Sequence, residues 1–123
     1  MISSKELRIG NYIYGITDRV EIVDAISEDE LKTHTPKLED YHWDELKYYN
    51  PIPLTEEWLL KLGMVNNSNE WEKRHEEINF IIERFNNKYY YTGGEGVILS
   101  KPMNYLHELQ NLCYAITGKD LTA

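Results

Sequence analysis

Four histidines, one cysteine and 21 carboxylates are the side chains of this 123-residue sequence with the most chemistry to offer. His34, His42, His75 and His107 share no metal-ligand spacing, and Cys113 falls among the apolar positions of a helical pattern, so neither zinc nor Cys/His nucleophilic chemistry is indicated. Glu28-Asp29-Glu30 and Glu56-Glu57 read as a solvated turn and a helix start, where water and the helix dipole account for them better than acid/base work. Gly93-Gly94-Glu95-Gly96 resembles a phosphate loop only superficially, because a strand pattern follows it and Glu95 repels phosphate. No coherent set of nucleophile, base or metal ligands emerges, and the reading is a protein that is not an enzyme and takes no cofactor or metal.

Binding residues are better represented. On the C-terminal helical pattern, His107, Gln110, Asn111 and Tyr114 form an uncharged polar arc opposite the apolar stripe of Tyr105, Leu106, Leu109, Leu112, Cys113 and Ile116. Uncharged donors and acceptors lose less on desolvation than charges do, so the arc suits a partner surface; the competing reading is that it packs on another element or is wet. Tyr89-Tyr90-Tyr91 puts alternate rings on opposite strand faces, and Tyr89 and Tyr91 either meet a partner or cover a sheet within the chain. Tyr41-His42-Trp43 lies in an acidic stretch, where cation–π and carboxylate contacts suit a cationic ligand or basic peptide; anchoring of the loop by Trp43 is the alternative.

Net charge is -8, with 13 Lys plus Arg. Residues 1–54 carry -5, residues 55–85 carry -3, and residues 86–123 are neutral with five of the ten tyrosines. No stretch clusters basic residues, and this field repels bulk DNA and RNA. The apolar runs fall well short of the roughly 20 residues that cross a bilayer. The N-terminus lacks an export-signal pattern, and one cysteine forms no internal disulfide, so the expected setting is cytoplasmic.

The elements that position these residues follow from periodicity. Leu7–Gly15 reads as a strand with Ile9 and Ile13 on one face, and Val20–Ile26 as its partner with Val20, Ile22 and Ile26 inward. Leu31–Thr35 is a weaker strand, Pro36–Asp44 a polar loop, and Glu45–Tyr49 an extended segment, together suggesting a small curled barrel of SH3-like kind. Pro51 and Pro53 end the sheet. A short helix starts at the N-cap Thr55 and stops at Gly63, apolar on two sides as a linking helix would be. Asn66–Asn69 reads as a turn and Trp71–His75 as a short strand. Ile78–Phe85 then hairpins through Asn86-Asn87 into Lys88–Thr92, Val97–Leu99 adds a strand, and a final helix spans Tyr105–Thr117.

Three segments, Leu7-Arg8-Ile9-Gly10-Asn11-Tyr12-Ile13, Pro51–Gly63 and Tyr105–Gly118, together give the chain a resemblance to a group of small uncharacterised proteins of Bacteroidetes phages, prophages and mobile elements. The resemblance implies a bacterial cytoplasmic accessory protein and no reaction. The expectation is an α+β chain with a β-rich lobe over residues 1–53 and a lobe of helix, antiparallel hairpin region and C-terminal helix over 54–123. Its function is expected to be non-catalytic binding of a protein partner, with a homodimer as one form. The alternatives are a small-ligand binder stacking its ligand on Trp43, Tyr89 or Tyr91, and an SH3-like nucleic-acid accessory module.

Overall fold

The computed structural model describes residues 2–38, 40–76 and 78–123. It is an α+β structure with two open, four-stranded antiparallel sheets and one long helix. The chain divides into two compact units, one of residues 1–53 with 105–111 and the other of residues 54–104 with 112–123.

In the first unit, β1 (Tyr12–Tyr14), β2 (Val20–Ile26), β3 (Glu30–His34) and β4 (His42–Glu45) form a meander in that order. A 3₁₀ turn at Leu46–Tyr48 follows β4. Ile2, Leu7, Ile13, Val23, Leu31 and Tyr49 make the core, with Ile26 and Leu46 packed against it.

Three expectations change here. Ile9 lies outside the strand and is exposed, so only the last part of the first apolar run pairs. The phase of β2 is inverted: Glu21 and Val23 point inward, whereas Val20, Ile22 and Ile26 are only half-buried. A glutamate can take an inward position because Thr33 on the neighbouring strand donates to it, and a bulge between Val23 and Ala25 then breaks the strict alternation. The segment expected as loop through Asp44 contains β4, paired with β3 from Thr33↔His42 to Glu30↔Glu45, and the extended segment expected after it is the 3₁₀ turn.

The second unit opens with α1 (Glu56–Lys61). The Thr55 side chain accepts from the Trp58 amide, and the C-terminal turn passes into Gly63 at φ +77°. Leu59 is buried but Leu60 is exposed, so only one of the two apolar sides packs, whereas the expected linking helix would bury both. The sheet runs β5 (Val65–Asn67), β6 (Glu70–His75), β7 (Ile78–Phe85) and β8 (Lys88–Tyr91). Part of the stretch expected as a turn is therefore β5, and Ser68 alone takes positive φ there. Asn86 and Asn87 both take positive φ in the β7–β8 hairpin, a conformation asparagine tolerates. Val97–Leu99 is no strand: the three aliphatic side chains are exposed in a loop tied to β8 by the Leu99 amide on the Tyr91 carbonyl.

The long helix, α2 (Leu106–Thr117), follows Tyr105, whose amide is capped by the Glu108 carboxylate. Its buried positions are Leu106, His107, Leu109, Gln110, Cys113 and Thr117, while Tyr105 is exposed and Leu112 and Ile116 half-buried. No helix among the described residues is long and apolar enough to cross a membrane.

Candidate functional site

The meander of the first unit brings together residues from four places in the sequence. Antiparallel pairing sets Thr33 of β3 opposite His42 of β4, and the two-residue period puts Asp44 on the same face as His42. Glu21, inward on β2, reaches the same spot. Its side chain is only 3% exposed. The Thr33 hydroxyl donates to Glu21 Oε1 at 2.5 Å, and since that uses its single proton, the 3.1 Å contact with Tyr49 has the phenol donating to Thr33. Burial pushes the Tyr49 phenol pKa up, so it remains a donor.

His42 completes the cluster. Its Nδ1 donates to the Asp40 carbonyl at 2.9 Å, which leaves Nε2 facing Glu21 Oε1 at 3.1 Å and Asp44 Oδ2 at 3.3 Å. The bond to the Asp40 carbonyl raises the imidazole pKa. Partial burial opposes it, and the charges of Glu21, Asp44 and Asp40 add to the rise. The Thr35 hydroxyl and amide donate to the Asp40 carboxylate and hold its pKa low.

Arg19, Glu21, Asp40, His42 and Asp44 line a cavity of about 320 Å³, with Ile16 at its exposed rim. Glu21 Oε2 makes no hydrogen bond among the described residues. It lies over Gly15, in the space a Cβ on that residue would occupy. Among the described residues, the cavity thus presents three carboxylates to one guanidinium, and the most buried of these carboxylates, Glu21, has an uncommitted oxygen.

The helix residues expected at a partner surface are placed otherwise. Gln110 Oε1 accepts from the Tyr12 amide at 2.8 Å, and its Nε2 approaches the Gly10 carbonyl at 3.4 Å. Asn111 accepts from Asn11 Nδ2 and donates to the Glu6 carbonyl, both at 2.8 Å. His107 is buried against Glu6, with Nε2 3.5 Å from that carboxylate, and Tyr105 stacks on its ring. Three of the four arc residues therefore hold the N-terminal segment of their own chain, and Tyr114 alone is exposed. Polar side chains fill this face because the segment before β1 presents bare backbone groups that need partners.

The aromatic expectations also divide. Tyr89 is buried with Arg84 over its ring, and Tyr91 stacks on Phe80 at 5.4 Å, so both serve the second unit internally. Trp43 is exposed but belongs to the first unit. Strand alternation turns Tyr41 and Trp43 to the face opposite His42 and Asp44; Tyr41 lies 4.7 Å from the His34 ring there, and Trp43 pairs across to Lys32. His34 is bonded to Asp24 on that face at 2.7 Å. Cys113 is fully buried, and burial pushes its thiol pKa up. Sequence reasoning missed Glu21, Thr33 and Asp44; the available signal was the alternate phase of β2, with Glu21 and Val23 two residues apart.

No protein-family model, curated protein or solved structure matches this chain.

Burial lowers the pKa of His107 below the usual 6.5, against the opposing pull of Glu6 and Glu108. A histidine with a depressed folded pKa stabilises the fold above its unfolded value, and that contribution is lost as pH falls through the folded one. Denaturant melts from neutral to acidic pH should therefore show the unfolding free energy of wild type minus that of His107→Leu falling as the solution is acidified, whichever of the two is the more stable at neutral pH. A difference that rises on acidification would contradict the burial effect.

Proposed function

We propose that this chain is a non-catalytic binding protein of the mobile-element group it resembles. Its contact site is the carboxylate-lined cavity of the first unit, and the partner is a basic segment of a bacterial cytoplasmic protein. The observation that carries this reading is the uncommitted Oε2 of the buried Glu21 at the cavity wall. An occupant bearing N–H donors and positive charge satisfies that oxygen, and the chain's acidic field attracts such an occupant from a distance. Binding is favoured over catalysis because the Thr33 hydroxyl gives its proton to Glu21 Oε1 at 2.5 Å and stands farther, at 3.4 Å, from His42 Nε2, so the proton is committed to the carboxylate and not to the imidazole. Among the described residues, no group of three or more His, Cys, Asp and Glu is arranged to hold a metal ion, which favours an organic cation.

The first unit is read as a curled, open lobe of SH3-like kind. The 3₁₀ turn after β4 leads to Asn50, which exchanges backbone bonds of 2.9 and 3.1 Å with Tyr14 on β1, and this return to the first strand supports the reading. A nucleic-acid role for the lobe is disfavoured, since the cavity's carboxylates oppose phosphate. A small cationic ligand is the second reading, supported by the cavity volume, at the low end for small-molecule sites.

Titration of ¹⁵N-labelled protein with an arginine–glycine repeat peptide at low salt is expected to shift amides of residues 15–21 and 40–44. A glutamate–glycine peptide should leave them unmoved. Shifts confined to Tyr114 or to Val97–Leu99, or none at all, would overturn the assignment.

A further inference from the structure

Resting on that reading, we propose that the cavity is a guanidinium or alkylammonium site in which the incoming cation replaces the His42 proton between Glu21 and Asp44, so that binding is turned on as pH rises. The geometry supplies the exchange. Nδ1 of His42 is fixed as a donor by the Asp40 carbonyl, so its titrating position is Nε2, and this atom faces Glu21 Oε1, Asp44 Oδ2 and, at 3.4 Å, Thr33 Oγ1. Protonated, Nε2 donates into the pair of carboxylates and neutralises part of their charge. Neutral, it turns a lone pair on them, and Nε2, Glu21 Oε1 and Asp44 Oδ2 then converge with only the Thr33 hydroxyl proton, held by Glu21, among them. A guanidinium N–H entering through the cavity supplies the missing donor and charge together, and it also reaches Glu21 Oε2.

The other charged groups at the site fit this competition. Asp40, from the loop before β4, adds negative charge, and its low pKa keeps it ionised across the range in which His42 titrates. Arg19, from the β1–β2 turn, lines the cavity as a permanent cation, and its charge stabilises the Asp40 carboxylate. Tyr49, behind Thr33, stays neutral because burial raises its pKa. His42 is thus the group whose charge changes near neutral pH, and the raised direction of its pKa places the switch above the ordinary histidine value.

Anisotropy of a fluorescently labelled arginine–glycine peptide, read from about pH 5.5 to about pH 8.5 at constant low salt, tests the inference. Wild-type affinity is expected to rise by up to about tenfold per pH unit on the acid side and then level off, the behaviour of one competing proton. Calorimetry in two buffers of different ionisation enthalpy should count up to one proton released on the acid side. The His42→Asn variant should bind with a flat profile. The proton count is made on wild type and so does not depend on how that variant folds. Binding that is pH-independent with no proton released overturns the inference and leaves the cation reading standing. Absence of binding at every pH overturns both. Methylguanidinium serves as the second probe: saturation by it with the same profile supports a free small cation as occupant, whereas a response to the peptide alone supports a protein segment.

Discussion

Replacing Gln110 by leucine is expected to lower the free energy of unfolding by about 1–3 kcal/mol, the usual cost of leaving a buried polar group without its partner. Leucine keeps the bulk of the side chain, so the loss reports on hydrogen bonding. Gln110 is 3% exposed, accepts from the Tyr12 amide at 2.8 Å, and sits 98 residues away from it in sequence. The bond therefore fixes the start of β1 to the helix face. Asn111→Ala removes two bonds of the same kind from a half-buried position and should cost less, about 0.5–1.5 kcal/mol. Chemical denaturation checks both values. If Gln110→Leu melted like wild type, the helix face would not be the internal brace that its contacts indicate.

The second large effect is expected at Gly15. Its φ lies outside the left-handed region, so alanine is tolerated by the backbone itself. The obstacle is steric: the added Cβ would fall on the carboxylate of Glu21. Moving that carboxylate breaks its contacts with Thr33 and His42, and crowding of a packed site costs about 1–3 kcal/mol. Peptide binding should be lost along with stability. A double-mutant cycle isolates the cause, since Gly15→Ala should cost much less when Glu21 is already alanine. Equal costs in the two backgrounds would show that the carboxylate is not what the new methyl meets.

Much of the second unit was legible because its signals are local. Thr55 caps α1, Gly63 ends it, and the Asn86-Asn87 pair turns the strongest strand pattern into a hairpin, each through the conformational preference of one or two residues. The first unit was less legible because its decisive choices are made between distant segments. Val20, Ile22 and Ile26 on one phase of β2 outnumber Val23 on the other, and apolar counting alone selects the wrong face. The buried network of Thr33, Tyr49 and His42 reverses the choice by satisfying Glu21, and no window of sequence contains that network.

The same limitation governs the helix arc. Its neutral polar composition correctly marks a face that gives up water, but the partner is the chain's own N-terminal segment, about 100 residues away in sequence. Tyr89 and Tyr91 follow the pattern, their rings being spent within the second unit. The cation site draws on Glu21, His42 and Asp44, of which only His42 stood in a motif that suggested a cationic ligand.

The affinity of the Glu21→Gln variant for the arginine–glycine peptide tests the cation site most directly. Glutamine keeps the size of the side chain and removes the charge that the occupant is proposed to meet. At low salt and a pH above the His42 midpoint, with the fold verified by an unchanged circular dichroism spectrum, binding is expected to be weaker than wild type by at least about tenfold, as for loss of one charge-assisted hydrogen bond. Wild-type affinity in this variant would contradict the cation site.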